Sequence, residues 1–262
     1  IGVPLKDWDI SINYGIKTGC NEAFIIDGTT KDRLIAEDSK SAEIIRPILR
    51  GRDIKRFGYT FADQWLIATF PSRQYDIDDY PAVKKYLETF DIRKLAQSGE
   101  KDIDGIKGNN ARKKTNNKWF ETQDTIAYWD DFSKQKIVWG NLCQRAQFAI
   151  AEEGIMINAP SPLITPAEPW LLVFMNSKPA DWYIRSQGVT RNGGYFEYKP
   201  MFVETLPIPQ FSKEQAERLN GYMKLIQNAE HQEAKAAEID ADSYIASILG
   251  LTEEEQHFLR NH

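Results

Sequence analysis

The sequence predicts a mixed α/β fold, in which small β-sheets with flanking helices form a body that is followed by a helical arm. Short β-branched and aromatic runs alternate with glycine, proline and asparagine through most of the chain, and helical periodicity takes over near residue 212. With 262 residues, of which 42% are hydrophobic, the chain is long enough to bury a core. We therefore predict a body over residues 1–211 and a helical arm over residues 212–262.

The first half of the body is predicted to alternate strands with short helices. In chain order we expect two strands joined by a glycine turn within residues 1–30, a short helix or turn over 31–37, a helix over 41–49, a strand over 59–70 and a helix over 81–96. Ser41 is a preferred N-cap residue, and Pro81 stands at a favoured first helical position. Pro47 must lie at the end of the helix over 41–49 or interrupt it, because proline lacks the donor that a helix interior needs.

The second half of the body begins with a polar loop and then returns to strands. In chain order we expect a long loop over residues 98–118, strands over 125–129, 136–142 and 146–151, a strand or helix within 161–177, and a glycine-punctuated segment over 188–211. Pro207 and Pro209 make the end of that segment stiff and extended.

The arm is predicted to consist of helices that begin at capping boxes. Ser212 with Gln215 forms the first box, and the apolar residues that follow lie on one face of a helix that runs to about residue 237. A second short helix over 244–249 follows, and a last turn or two begins at another capping box at Thr252. Such an acidic helical tail is expected to pack on the body or on a neighbouring domain.

Two dense cationic segments are the most informative features of the body. The first contains Arg46, Arg50, Arg52, Lys55 and Arg56 around the single acid Asp53, and the second contains Lys107, Arg112, Lys113, Lys114 and Lys118 and ends at Trp119 and Phe120. A third candidate is the pair Arg191 and Asn192 before two glycines, although that pair can equally belong to a plain hairpin turn. Arginine, lysine and asparagine can hold phosphates and reach base edges, so these are candidate DNA contacts. The alternative is that they are solvated surface charges.

Further polar residues extend this candidate set. Amides that could reach adenine edges are Asn109, Asn110, Asn116 and Asn117, and a weaker set is Arg145 with Gln144 and Gln147. In the first cationic segment, Arg52 and Asp53 could instead be structural and set a turn. Trp119 is expected to be a core or hinge residue rather than a residue that stacks on a base.

The net charge of −5 is confined to the arm. Residues 212–262 contain ten acids and five bases, whereas residues 1–211 contain 28 of each. Because affinity for DNA depends on local neutralisation of phosphates, a neutral body with cationic loops is compatible with DNA binding.

Composition also excludes several classes of protein. Cys20 and Cys143 stand far apart without a CxxC motif, which argues against zinc and against a disulfide framework and favours the reducing cytoplasm. No run of about 18 apolar residues predicts a membrane span, and no signal peptide is visible. The three histidines all follow residue 230, so a histidine-based catalytic centre in the body is excluded. The chain starts at Ile1 without an initiator methionine, and we expect it to be part of a longer protein.

An ordered series of blocks resembles the C-terminal target-recognition region of TaqI-like DNA adenine methyltransferases, including type IIG restriction-modification enzymes. The blocks are GIKTGCNEAFIID (15–27), IIRPILRGRDIKRF (44–57), KWFETQ (118–123), KIVWGNL (136–142), NAPSPLI (158–164), PWLLVFMNS (169–177), ETLPIP (204–209) and EIDADSYIASILGLTEEE (238–255). None of them is decisive alone, but their order covers nearly the whole chain.

This resemblance implies that a separate N-terminal domain binds S-adenosylmethionine and methylates adenine at N6, while this chain recognises double-stranded DNA and helps to hold the duplex during base extrusion. The glycine-rich cofactor turn and the Asn/Asp-Pro-Pro-aromatic motif of that catalytic domain are both missing here. The nearest imitation, residues 158–161, lacks the double proline and the aromatic. The resemblance therefore implies no cofactor in this part of the protein and no catalytic residues in it. Mg²⁺ would be needed elsewhere if the parent protein also cleaves DNA.

Two other functions remain open at the level of sequence. The chain could be an interaction module whose basic segments pair with acids of a partner subunit. It could also be a nuclease fragment, for which Glu233 and Lys235 supply the short acid-x-Lys form, but these residues lie in the acidic helix without a neighbouring strand. Phosphate-binding loops and nucleophile elbows are absent from the sequence.

Overall fold

The structure, a computed structural model, describes residues 2–261 and confirms a mixed α/β fold with a helical C-terminal segment. The strands are β1 (Val3–Pro4), β2 (Ser11–Tyr14), β3 (Ile25–Asp27), β4 (Ile45–Leu49), β5 (Ile54–Lys55), β6 (Gly58–Tyr59), β7 (Gln64–Ile67), β8 (Lys136–Trp139), β9 (Leu142–Cys143), β10 (Phe148–Ala151), β11 (Met156–Ile157), β12 (Pro162–Thr165), β13 (Thr190–Arg191), β14 (Tyr195–Glu197) and β15 (Pro207–Ile208).

The α-helices are interspersed with the strands up to residue 208 and follow one another after residue 212. They are α1 (Asn21–Phe24), α2 (Gly28–Glu37), α3 (Pro81–Leu87), α4 (Ile92–Leu95), α5 (Pro169–Asn176), α6 (Lys178–Gln187), α7 (Pro200–Val203), α8 (Lys213–Asn228), α9 (His231–Ile248) and α10 (Glu253–Asn261). Short 3-10 turns connect several of the strands, among them Ser39–Glu43, Gly51–Asp53 and Trp129–Ser133.

Two four-stranded sheets form the centre of the molecule. One sheet has the order β11-β4-β7-β3, with a parallel pair between β11 and β4, and the other has the antiparallel order β10-β8-β12-β2. A smaller sheet, β13-β14-β9, and the pairs β1-β15 and β5-β6 lie beside them. The fold is therefore a set of small sheets rather than one continuous sheet.

The sheet β10-β8-β12-β2, which we call the central sheet, separates two hydrophobic cores. Along β8, Val138 belongs to the first core, whereas Ile137 and Trp139 belong to the second. Along β12, Leu163 belongs to the first core and Ile164 to the second. Because successive side chains of a strand point to opposite faces, a sheet that is buried on both faces needs apolar residues at nearly every position. This requirement explains the continuous apolar runs that the sequence shows here.

The helices after residue 212 complete the second core. Leu219 and Met223 of α8 are buried in it together with Ala241 and Ile245 of α9, and α8 packs against both α5 and α9. The division of the chain at residue 211 into a body and an arm stays a prediction.

Several predicted elements are confirmed in type. The helix within 31–37 is part of α2, and the strands within 136–142 and 146–151 are β8, β9 and β10. Residues 161–177 contain both a strand and a helix, and the loop over 98–118 holds only one 3-10 turn of regular structure. The predicted strand over 59–70 is shorter, and the predicted helix over 81–96 is interrupted at Asp91, which caps α4.

Two predictions of element type are wrong. A helix over 41–49 does not form, because Asp38 caps a short 3-10 turn, and the β-branched run that follows, which contains Pro47, forms β4 between β7 and β11. A strand over 125–129 does not form either. Ile126 has φ of 55°, a left-handed conformation that cannot continue a strand.

Predictions about connections also need correction. The two strands within residues 1–30 do not pair with each other, since β2 and β3 belong to different sheets. The long arm helix is two helices, because the chain is extended at Ala229 and Glu230 before α9 begins. Helix α6 was not predicted, although Ser177 caps it.

Asn176, the last residue of α5, forms hydrogen bonds with β10, the edge strand of the central sheet. Its side chain is 1% exposed; its Nδ2 donates to the Phe148 carbonyl at 2.9 Å, and its Oδ1 accepts from the Phe148 amide at 3.0 Å. We expect Asn176→Ala to lower the free energy of unfolding by roughly 2 kcal/mol, because the buried Phe148 amide loses its partner, whereas the Phe148 carbonyl keeps the Phe57 amide at 2.9 Å. Urea unfolding measures this loss. Asn228→Ala, at an exposed helix end, should change stability by less than about 0.5 kcal/mol, and equal effects of the two changes would contradict the assigned role.

Candidate nucleic-acid interface

Two adjoining clefts mark one face of the molecule. They have volumes of about 520 and 500 Å³, and both are lined by Asn158 and Ala159, so the turn over 158–161 is the ridge between them. The first cleft lies towards the loop over 98–118, and the second lies beside the turn over 51–55. Both cationic segments of the sequence therefore reach the same face.

The first cleft is bounded by exposed lysines. Lys17 and Lys94 line it with the exposed acid Glu22, and the backbone of residues 108–112 forms another part of its wall. The side chains of Lys17 and Lys94 have no hydrogen-bond or ion-pair partner within residues 2–261. Lysines in such a position can neutralise phosphates of a bound nucleic acid.

Arg112 does not offer its charge to a ligand, which corrects the expectation that it clamps a DNA backbone. It is 3% exposed, and its guanidinium donates to the carbonyls of Leu95, Thr18, Glu121 and Trp119 at 2.6 to 2.8 Å. Burial lowers the pKa of Arg112 to about 10, which leaves it protonated at neutral pH. Its role is to hold the loop on the body.

The other cations of the loop are exposed. The four that were predicted as contacts are Lys107, Lys113, Lys114 and Lys118. Lys118 lies over the Phe120 ring, with its Nζ 5.4 Å from the ring centre. Trp119 is half-buried against the first core, as expected of a core residue. DNA contact by these lysines stays a prediction.

The asparagines of the loop mostly stabilise the loop itself. Asn109 donates to the Ile103 carbonyl at 3.3 Å, and Asn117 donates to the Gln123 carbonyl at 3.0 Å. Asn110 accepts from the Asp102 amide at 3.0 Å. The predicted loop is therefore ordered by its own amides, and Asn110 and Asn116 are the exposed members of the set.

The second cleft combines cations with amides. Arg52 and Lys55 line one side, and the residues from other elements that line it include Asn141, Gln144, Gln147 and Tyr195. Arg52 and Lys55 are exposed, and Lys55 Nζ donates to the Arg52 carbonyl at 2.7 Å. Charged donors can bind phosphates, and the amides and the aromatic ring beside them can contact bases.

Arg50 forms an ion pair and is not among the residues that line the cleft, so its predicted DNA contact gains no support and stays a prediction. Its Nε and Nη2 donate to the two carboxylate oxygens of Asp53 at 2.9 and 3.0 Å, and Asp53 also accepts from the Arg50 amide at 2.9 Å. Burial raises the pKa of Asp53, but the hydrogen bonds and charge of Arg50 outweigh burial and hold this pKa below its ordinary value. The structural pair of this turn is therefore Arg50 with Asp53, and not Arg52 with Asp53.

Two other predicted contacts lie outside the clefts. Arg46 donates to the Ala42 and Ile45 carbonyls at 2.7 and 3.0 Å and lines a small separate cavity with Arg73. Arg56 donates to Glu238 of α9 at 2.7 Å and to the Asn176 carbonyl, so it ties the arm to the body. Neither position supports the predicted DNA contact.

Arg191 and Asn192 lie in the hairpin formed by β13 and β14. Gly193 and Gly194 at the turn have positive φ angles of 78° and 73°, as the alternative hairpin interpretation requires. Arg191 pairs with the buried Glu197, whereas Asn192 is exposed at the tip. The Gln144 Nε2 donates to the Gly193 carbonyl at 3.1 Å and joins this hairpin to the second cleft.

The sequence did not identify several residues of this face. Lys17, Lys94, Asn141 and Tyr195 are isolated in the sequence, and only folding brings them to the clefts. The weak set around Gln144 and Gln147 did reach the second cleft. The predictions were based on local clusters of charge, and such clusters cannot indicate single residues that different loops contribute to one cleft.

Within residues 2–261, no group of three or more His, Cys, Asp or Glu side chains is arranged to hold a metal ion. In the same range, none of the helices is long and apolar enough to cross a bilayer.

Comparison with known proteins adds a family and a fold. A family model described as a TaqI-like C-terminal specificity domain matches residues 46–208. A solved structure of the type IIL restriction-modification enzyme MmeI in complex with DNA is similar over 98% of this chain and 36% of that chain, with a TM-score of 0.67 and 14% identity. The type IIG restriction endonuclease BpuSI is similar over 94% of this chain and 31% of that chain, with a TM-score of 0.51 and 12% identity. This chain spans about a third of either enzyme, and no curated protein matches its sequence.

Proposed function

Because the chain belongs to the family of TaqI-like C-terminal specificity domains, we propose that it recognises a short sequence in double-stranded DNA as the specificity region of a restriction-modification enzyme. The observation that carries the proposal is the pair of adjoining clefts. Their exposed charged residues are Lys17, Lys94, Arg52 and Lys55, with Glu22 as the exposed acid. A cationic surface with amides beside it provides both phosphate contacts and base contacts.

The catalytic chemistry of the proposed enzyme belongs to another domain. Asn158, in the segment that most resembles a methyltransferase motif, is 8% exposed, and its Nδ2 donates to the Ile16 carbonyl at 3.2 Å. It is therefore a structural residue and does not fit a site for an extruded adenine. In the proposal, S-adenosylmethionine and transfer to adenine N6 belong to a methyltransferase domain of the same longer protein. Mg²⁺ is needed there if that protein also cleaves DNA.

The proposed location is the cytoplasm, and the proposed partners are DNA and that catalytic domain. Cys20 and Cys143 are both free thiols, which fits a reducing compartment. The solved structures that share this fold are about three times as long as this chain, which supports the presence of further domains in the parent protein.

The test is selection from a pool of randomised duplexes at low and moderate salt, followed by sequencing of the bound DNA. An enriched short motif is the expected result. Binding that is sensitive to salt but enriches no motif would contradict recognition by this chain alone. Binding to a partner protein that DNA does not compete with would favour an interaction module, and metal-dependent cleavage by this chain would favour a nuclease fragment.

We expect the triple change Lys17→Ala, Lys55→Ala and Lys94→Ala to weaken binding to all sequences. Each lysine that neutralises a phosphate contributes about 0.9 to the slope of log affinity against log salt, so that slope should fall by about 2 to 3. A titration at several salt concentrations measures the slope.

A matched control removes the same charge from the arm. Lys213, Lys224 and Lys235 are exposed on α8 and α9, and changing all three to alanine keeps good helix formers there. This control should leave the slope nearly unchanged. Equal slopes for the two triple variants would show that the clefts do not hold the phosphates.

A further inference from the structure

The second cleft contains an arginine that can distinguish bases as well as bind phosphates. We propose that Arg52 is a base-reading residue of this domain and that it selects a guanine in the major groove of the recognised sequence. This inference rests on the proposed function and adds to it the residue and the base.

Arg52 differs from the other arginines of the cationic segments because its guanidinium is free. Arg50 and Arg56 are paired with acids, and Arg112 is saturated by carbonyls. The Arg52 side chain is exposed at the cleft, and within residues 2–261 it has no hydrogen-bond or ion-pair partner. All five of its donors are therefore available to a ligand.

Three sets of contacts hold the backbone at Arg52 in place. The ion pair of Arg50 with Asp53 closes the turn Gly51–Asp53, and Lys55 holds the Arg52 carbonyl at 2.7 Å. The turn also lies close to Ser161, since a Cβ on Gly51 would lie 2.8 Å from the Ser161 Oγ. A free side chain on a fixed turn meets the requirement for selectivity, because a readout residue must be positioned before its ligand binds.

The chemistry of the guanidinium points to guanine. Guanine presents O6 and N7 together in the major groove, and the planar fork of arginine donates to both atoms at once. A phosphate can also accept this fork, but the neighbouring Lys55 can bind a phosphate as a point charge without it. Arg52 lines the same cleft as the amides Gln144 and Gln147, which are groups that can read base edges.

The test compares the 262-residue chain with Arg52→Lys and Arg52→Ala in the selection from randomised duplexes. For the unchanged chain we expect a motif with a guanine position at which substitution weakens binding roughly 10- to 100-fold. Arg52→Ala should lose that preference, and Arg52→Lys should weaken it because lysine lacks the planar fork but can still donate to guanine. The other positions of the motif should keep their preferences. Arg52→Lys should retain the salt slope of the unchanged chain, because the charge remains and only the fork is lost.

Lys55→Ala is the matched control, since it removes a neighbouring charge from the same cleft. It should lower affinity for all sequences without changing the motif. If Arg52→Ala keeps the guanine preference, or weakens binding to all sequences equally, Arg52 does not read a guanine and the inference is overturned. If the unchanged chain enriches no motif at all, both the proposed function and the inference about Arg52 fail. Because Arg52 is exposed, thermal unfolding of the variants should match that of the unchanged chain.

Discussion

Replacing Arg112 with alanine is expected to lower the free energy of unfolding by about 3 to 5 kcal/mol, a range typical of a buried charge network that loses one member. Four backbone carbonyls, in three separate segments of the chain, lose the Arg112 donor at once, and the Glu121 carbonyl keeps a second donor, Gln97 Nε2, at 3.2 Å. Each buried carbonyl without a partner costs about 1 to 3 kcal/mol, although some will find water after the change. Urea unfolding followed by tryptophan fluorescence measures the loss.

Lys113→Ala is the control for Arg112→Ala, because Lys113 is adjacent in sequence and exposed. Its side chain should contribute less than about 0.5 kcal/mol. Arg112→Lys should fall between the two, since an ammonium has only three donors. A loss below about 1 kcal/mol for Arg112→Ala would mean that the loop is held by its other contacts and that Arg112 is dispensable.

Replacing Asp53 with asparagine is expected to cost about 2 to 3 kcal/mol at neutral pH, because Arg50 then keeps a half-buried charge without a counter-charge. The direction of the pKa shift sets the pH dependence. A carboxyl whose pKa is lowered by folding contributes stability that is present above its unfolded pKa, near 4, and is lost as the pH falls through its folded pKa. The difference in stability between the unchanged chain and Asp53→Asn should therefore shrink as the pH falls below about 4.

Urea unfolding of both chains at pH 7 and near pH 3 measures that difference. Asp32→Asn is a suitable control, since Asp32 is a largely exposed acid on α2 that pairs only with its neighbour Lys31. A stability difference for Asp53→Asn that is the same at both pH values would show that the charge of Asp53 is not what holds the turn. The same variant should also weaken the base preference assigned to Arg52, because the turn that positions Arg52 loosens.

The sequence predicted the class of fold and the general nature of the site better than the roles of individual residues. The arm and the strands of the central sheet were predictable because capping boxes and apolar runs act locally. The strand β4 was not, because Ser41 suggested a helix, and only pairing with β7 and β11 decides its conformation.

Both cationic segments reach the face that carries the clefts, but their residues have different contacts there. Charge density cannot show that Arg112 points inward or that Arg50 and Arg56 are already paired with acids. Whether an arginine is free depends on carbonyls and carboxylates that are distant in sequence, such as Glu238 for Arg56. The exposed lysines of the loop and Arg52 agree with the predicted surface, and their contact with DNA stays a prediction.

The central sheet also determines how the molecule can come apart. Since one of its faces closes the first core and the other closes the second, opening either core leaves a broad apolar face of the sheet in water. Neither half then persists as an independent unit, and we infer that both cores melt in one cooperative transition. The recognition loops at the clefts thus share a single scaffold, on which an exposed side chain such as Arg52 can be exchanged without weakening either core. Under the proposed function, such a scaffold would allow the recognised sequence to diverge during evolution while the fold persists.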